Sequence, residues 1–98
     1  MKPELSDPRL RKLNFRAWRR GFREADLIVG AFADAELAGM DAADLDRFEA
    51  LLETPDHDLY DWIVERTAPP PEHDHALMHR LRAFRLEVSQ AATAVAGG

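Results

Sequence analysis

Cysteine is missing from this chain of 98 residues. That excludes disulfide staples, thiolate zinc sites and cysteine nucleophiles. Serine is scarce: Ser6 and Ser89 are the only two, both near the ends, and no G-x-S-x-G is present, so a serine hydrolase finds no support. There is no G-x-G-x-x-G and no P-loop, hence no phosphate cradle of the chain's own. No apolar run approaches the roughly 20 residues that span a bilayer. The opening MKPELSDPRLRK lacks an apolar signal core and is too short and too acidic for a mitochondrial presequence. These absences read as a soluble, cytoplasmic protein with no membrane insertion.

What is present is a single small domain by length. Such a chain buries one modest core and has little room for a deep catalytic cavity. Hydrophobic residues make up 46% and charged residues 32%, a globular rather than disordered balance. The net charge of −5 conceals a division: residues 1–23 carry +6 and residues 24–98 carry −11. A basic face on an acidic body suits an acidic partner surface or a phosphate group. Nucleic acid is a weaker fit, because the acidic remainder repels a long polyanion.

Every long segment has helical period and none alternates like a strand. The expectation is an all-α fold, a compact bundle of about five short helices. Residues 1–8 form an extension, 9–90 a single helical-bundle domain and 91–98 a flexible tail of small residues. The first helix starts after Asp7-Pro8, where Asp caps and Pro suits the first turn. It carries one apolar stripe of Leu10, Leu13 and Ala17 and a second of Phe15, Trp18 and Phe22. Arg9, Lys12, Arg16, Arg19, Arg20 and Arg23 cluster opposite. Gly21 then interrupts. A glycine inside a helix costs roughly 1 kcal/mol against alanine, so its place after Arg19 and Arg20 and before Glu24 and Asp26 reads as a helix–turn–helix corner. A second helix to about Ala33 buries Leu27, Ile28, Ala31 and Phe32, and Leu37 and Met40 tuck in beyond it. Asp41 caps a third helix with Leu45, Phe48, Leu51 and Leu52; Thr54-Pro55 ends it. Asp56 or Asp58 caps a fourth with Leu59, Trp62 and Ile63. After the stiff Pro69-Pro70-Pro71, a fifth carries Leu77, Leu81, Phe84 and Val88.

Most other clusters reduce to ordinary roles. His75 and His79 share a helix face at metal-ligand spacing, but a closed site needs further ligands, and the remaining distant histidine is His57. Asp56, Asp58 and Asp61 lack the glycine and the terminal Glu of a calcium loop in register. No metal site and no catalytic residue is assigned. The basic, aromatic first helix is the candidate surface, since arginine pairs bidentately with carboxylate and phosphate and tolerates burial in interfaces.

Two blocks then carry a resemblance. The first is R-G-x-x-E, here Arg20, Gly21, Phe22, Arg23 and Glu24, followed by Asp26. The second is Phe48-x-x-Leu51-Leu52-Glu53 with Asp56-x-Asp58-Leu59-x-x-Trp62. At this spacing, over residues 9 to 86, the chain resembles the SdhE-type succinate dehydrogenase assembly factors. The resemblance implies a five-helix bundle. It implies a partner, the flavoprotein subunit of succinate dehydrogenase or fumarate reductase, and a role in covalent attachment of FAD to a histidine of that subunit. No cofactor is bound stably by the chain itself; the FAD belongs to the partner. The implied setting is bacterial.

By carry-over, Arg20, Gly21 and Glu24 lie on the surface that meets the flavoprotein near its flavin, with Arg16, Trp18, Phe22, Arg23 and Asp26 around them. Leu51, Leu52, Asp58, Leu59 and Trp62 of the second block are structural. Arg20 is expected to pair with a partner carboxylate or cap a carbonyl, and Glu24 to orient a group at the interface rather than transfer a proton. Gly21→Arg is expected to abolish binding by clash and leave the fold intact. Ala25 departs from the larger apolar residue common at its position. Two rival readings are a small nucleic-acid-binding or regulatory adaptor that uses the basic first helix as its arm, and a metal-dependent enzyme built on the histidines.

Overall fold

Asp7 and Pro8 begin the first helix as their chemistry requires. The Asp7 carboxylate accepts the Arg9 N–H at 2.8 Å and Pro8 occupies the first turn. In the computed structural model, the backbone is described for residues 7–97 and side chains for residues 7–88. Most of the expected extension, residues 1–6, therefore lies outside the described residues.

Five helices follow in order. α1 is Pro8–Ala17, α3 is Ala42–Leu52, α4 is Asp56–Ile63 and α5 is Ala76–Gly97. α2 covers residues 23–36 in three continuous pieces: an α turn Arg23–Ala25, a wide π turn Asp26–Gly30 and an α segment Ala31–Glu36. A 3₁₀ turn, Leu37–Gly39, closes it, and another, Pro71–His73, precedes α5. Among the described residues there is no strand. The all-α bundle expected from periodicity is the fold observed, though α5 at 22 residues is not short. Its helical backbone runs on through residues 91–97 of the expected tail; side chains from residue 89 onward are outside the described set.

The core gathers one face from every helix. Leu13 and Ala17 come from α1, Ile28, Val29, Phe32 and Ala33 from α2, Phe48, Leu51 and Leu52 from α3, Leu59 and Ile63 from α4, and Leu77, Met78 and Leu81 from α5. Phe32 sits at the centre, its ring 6.0 Å from Phe48 and 5.6 Å from Phe84, the latter edge-on. Leu37 and Met40 are buried as expected. Leu27 is not: it is 45% exposed, one step off the stripe of residues 25, 28, 29, 32 and 33 that α2 buries.

Cations tie the helices together from outside. Arg9 on α1 reaches Asp46 at 2.7 Å and Glu49 at 2.9 Å on α3. Arg80 on α5 holds Glu36 of α2 at 2.6 Å and Asp44 of α3 at 3.2 Å. Arg82 donates to the Trp62 carbonyl at 3.0 Å and so joins α5 to α4.

Helix ends match the sequence in part. The Asp41 carboxylate caps α3 through the Asp44 N–H at 2.8 Å. The expected Asp56 or Asp58 cap on α4 is absent: Pro55 is the cap residue and no side chain bonds there. Asp56 lies inside the first turn, where a carboxylate still favours the helix dipole, and its oxygen is used elsewhere. α4 ends in a Schellman arrangement, with Arg66 N–H on Asp61 O at 2.8 Å, Glu65 N–H on Trp62 O at 3.2 Å and Glu65 left-handed at φ 63°.

His75 stands just before α5. Its Nδ1 accepts the Met78 N–H at 3.2 Å, the place of a cap. Burial lowers its pKa below the ordinary 6.5, and nearby Arg47 and His73 push the same way, against weaker support from Asp44. The fold therefore resists a proton that the unfolded chain accepts. Stability is unaffected well above the ordinary value and falls as pH drops through it. Urea unfolding at a series of pH values should show this decline below about pH 6.5, and His75→Asn, which can still cap, should flatten it. Gly30 gives a second test. A Cβ there would clash with three atoms of the six-membered ring of Trp18, so Gly30→Ala should destabilise by about 1–3 kcal/mol in the same experiment.

Candidate functional site

α1 stops three residues before the expected point. Trp18 is its C-cap, with its N–H on Asn14 O at 3.2 Å. The chain turns through Arg19, Arg20, Gly21 and Phe22 before α2 starts. Gly21 has φ +111°, a region L side chains rarely enter, and a Cβ on it falls 2.6 Å from Asp56 Oδ2. Glycine is thus demanded by the fold itself.

Arg20 explains why the corner is held so closely. It is 5% exposed, the one buried charged side chain among the described residues. Its Nη1 donates to Leu52 O at 2.6 Å, and its Nη2 to Thr54 O at 2.9 Å and to Asp56 Oδ1 at 2.9 Å. One guanidinium therefore takes up two carbonyls at the C-terminus of α3 and a carboxylate in the first turn of α4. Its own backbone N–H donates to Asp26 Oδ1, at the start of the π turn. Burial pushes the Arg20 pKa down from its ordinary value; the adjacent Asp56 pushes it back up. Of the two expected roles, capping carbonyls is the one seen, within its own chain. The carboxylate Arg20 pairs with is also internal, so it is not an open cation waiting for a partner.

The two sequence blocks are thereby one structural unit. Leu51, Leu52 and Leu59 are core, and Trp62 is half-buried with His73 stacked at 5.5 Å. Asp58 is exposed, whereas Asp56, which was not among the expected site residues, makes the connecting ion pair. The spacing of the blocks gave no sign of this pairing.

Around the corner lies an open groove of about 650 Å³, lined by Trp18, Arg19, Gly21, Phe22, Arg23, Asp26 and Leu27. Trp18 forms its wall by lying on Gly30, with Nε1 donating to Asp34 Oδ1 at 3.3 Å. Phe22 lies past the end of α1, not on a continuous stripe with Phe15 and Trp18. Its ring stacks on His57 at 4.6 Å and meets the edge of Tyr60 at 5.2 Å, both on α4. Those two aromatic neighbours were not foreseen as part of the site. Phe15 is 57% exposed and Arg19 lies over its ring at 3.7 Å. The Arg23 and Glu24 side chains are exposed at the start of α2, without a hydrogen-bond or ion-pair partner among the described residues. The site thus collects Arg16, Trp18, Arg19, Gly21, Phe22, Arg23, Glu24 and Asp26 around one corner, with Arg20 beneath. His73, His75 and His79 lie away from it, and among the described residues no cluster of three or more potential ligands could hold a metal ion.

The fold is a small helical bundle that carries, at one corner, a groove lined by aromatic, apolar and charged side chains above a buried, ion-paired arginine. Comparison with known proteins says which kind. Residues 11–85 match the family described as flavinator of succinate dehydrogenase, and the chain belongs to that family. It is 38% identical over 73 residues to the FAD assembly factor SdhE of Acetobacter pasteurianus, a match covering 74% of this chain and 67% of that protein. It is 34% identical over 86 residues to the mitochondrial succinate dehydrogenase assembly factor 2 of Mycosarcoma maydis, covering 82% of this chain but only 36% of the fungal protein. A match to the FAD assembly factor SdhE of Pseudomonas aeruginosa is 39% identical, covering 52% of this chain and 61% of that protein.

The geometry revises the expectation for Gly21→Arg. The substitution meets both a backbone strain of about 1–3 kcal/mol and the Asp56 carboxylate that Arg20 holds, so the fold is not spared. Its thermal midpoint should drop, and Arg20→Leu, which strands two carbonyls, should lower stability by on the order of 2–3 kcal/mol. Circular dichroism melts of the two variants beside wild type check both.

Proposed function

We propose that this chain is an assembly factor: it docks on the flavoprotein subunit of succinate dehydrogenase, or of fumarate reductase, and promotes covalent attachment of FAD to that subunit. Family membership supports the class of activity. The observation that carries the reading to named residues is the division of the R-G-x-x-E segment, with Arg20 clamped inward and Phe22, Arg23 and Glu24 turned to the groove and its rim.

The bond to be made joins the flavin and a histidine, both held by the flavoprotein. The family is described as a flavinator and its relatives as assembly factors, and on that ground the reading gives this chain no catalytic step. Its contribution is preorganisation. A rigid corner binds one arrangement of the flavoprotein better than others and raises the population in which flavin and histidine are placed to react. Glu24, on the first turn of α2, would orient a partner group there; Gly21 keeps the corner narrow enough for close approach. A bacterial cytoplasmic setting is part of this reading. Among the described residues no helix is long and apolar enough to cross a membrane. Nucleic-acid binding is not favoured: the family is that of flavinators and the body of the chain is strongly acidic.

Apo-flavoprotein subunit, FAD and this chain, mixed and followed by in-gel flavin fluorescence, test the proposal. Wild type should accelerate covalent attachment. Glu24→Ala should lose most of the acceleration while melting like wild type, because Glu24 makes no contact the fold needs. A wild-type chain without effect on a flavoprotein shown to be competent would end the assembly-factor reading.

A further inference from the structure

The cations among the described residues fall into two sets. Arg9, Arg20, Arg47, Arg66, Arg80 and Arg82 each lie within 4.0 Å of a carboxylate of the chain itself. Arg11, Lys12, Arg16, Arg19 and Arg23 have no carboxylate partner among the described residues, and outside this stretch only Arg85 shares that state. The chain has 18 acidic residues against 13 Lys and Arg, so scarcity of carboxylates does not explain the segregation. Five cations within residues 11–23 that lack a carboxylate partner among the described residues repel one another, a cost that a partner's negative charge removes.

Arg19 shows how the surface is prepared. Its guanidinium carbon lies over the exposed Phe15 ring, 3.7 Å from the centroid, and one N–H goes to the Phe15 carbonyl at 3.4 Å. Stacking leaves the remaining in-plane donors free, the edge that grips a carboxylate bidentately. Exposed Phe15 thus has a task outside the core: it holds Arg19 in place. Arg19 and Arg23 line the groove, and Arg16 and Lys12 continue the row along α1 at helical spacing. Between them the groove presents Trp18, Phe22 and the exposed Leu27.

We propose that the occupant of this surface is an acidic segment of the flavoprotein in which an apolar side chain is flanked by carboxylates. The apolar side chain enters between Trp18, Phe22 and Leu27, and the carboxylates meet Arg19, Arg23 and Arg16. This rests on the assembly-factor reading and adds what is recognised. A protein segment is favoured over nucleic acid because its few charges are satisfied locally, whereas a long polyanion also meets the −11 of residues 24–98.

The test measures association of wild type and variants with the apo-flavoprotein subunit across a salt series, with flavinylation read on the same samples. Arg16→Glu and Arg19→Glu should each lower kon by roughly tenfold at low salt and flatten its salt dependence. Leu27→Ser should instead raise koff. Arg85→Glu, the same change of charge on α5 and outside the groove lining, should leave both rates unchanged. The inference falls if the α1 reversals bind like wild type, if salt is without effect, or if Arg85→Glu loses as much, since net charge would then be responsible. It also falls if a single-stranded RNA oligomer binds wild type more tightly than the flavoprotein does and the α1 reversals abolish that. Wild type that flavinylates normally in any of these cases leaves the assembly-factor reading standing. Wild type that neither binds nor flavinylates removes both.

Discussion

One side chain, Arg20, is the constraint on which the corner depends. A helix leaves its last carbonyls without internal partners, and α3 ends close to where α4 begins. A buried fork that meets Leu52 O, Thr54 O and Asp56 at once satisfies the end of one helix and the start of the next. Lysine has no such geometry. The same residue's N–H meets Asp26, so the fork also fixes the turn that leads into α2. Burying one charge among carbonyls and a half-exposed carboxylate is tolerable because both terminal nitrogens meet directed partners, while the buried Nε has none among the described residues.

From this clamp the neighbouring features follow. With Arg20 turned inward, the backbone at Gly21 must pass Asp56 in a conformation that excludes a side chain. With the corner narrowed, Phe22 reaches α4, stacks on His57 and meets Tyr60 edge-on, and Trp18 rests on Gly30. The π turn lies between its two contact points, Asp26 at its start and Gly30 at its end. Wide turns of this kind recur at functional sites, and here one sets the floor of the groove. What remains outward is charge and apolar surface that the core has no use for.

The sequence made the helices legible because their apolar spacing and caps are local. Asp7-Pro8, Asp41 and Thr54-Pro55 mark their boundaries by chemistry within a few residues. It was less informative where the outcome depends on distant neighbours. Arg20 looks like any member of a basic run until α3 and α4 are brought against it. Leu27 carries the same apolar signal as Ile28 and differs only in the face it occupies. Asp56 reads as a helix cap, and only the approach of a residue 36 positions earlier in the chain shows its other use. The corner as a place of interest was visible through its glycine; its interior wiring was not.

The clamp spans long stretches of sequence, joining residue 20 to residues 52, 54 and 56. A docking loop held only by its own turn can open while the rest of a domain stays folded. This corner has no such independence. Opening it releases the end of α3 and the start of α4, which carry Leu51, Leu52 and Leu59 into the core, so the free energy of local opening approaches that of global unfolding. The surface of this corner therefore exists only on a chain that has completed its fold, and a misfolded copy does not present it.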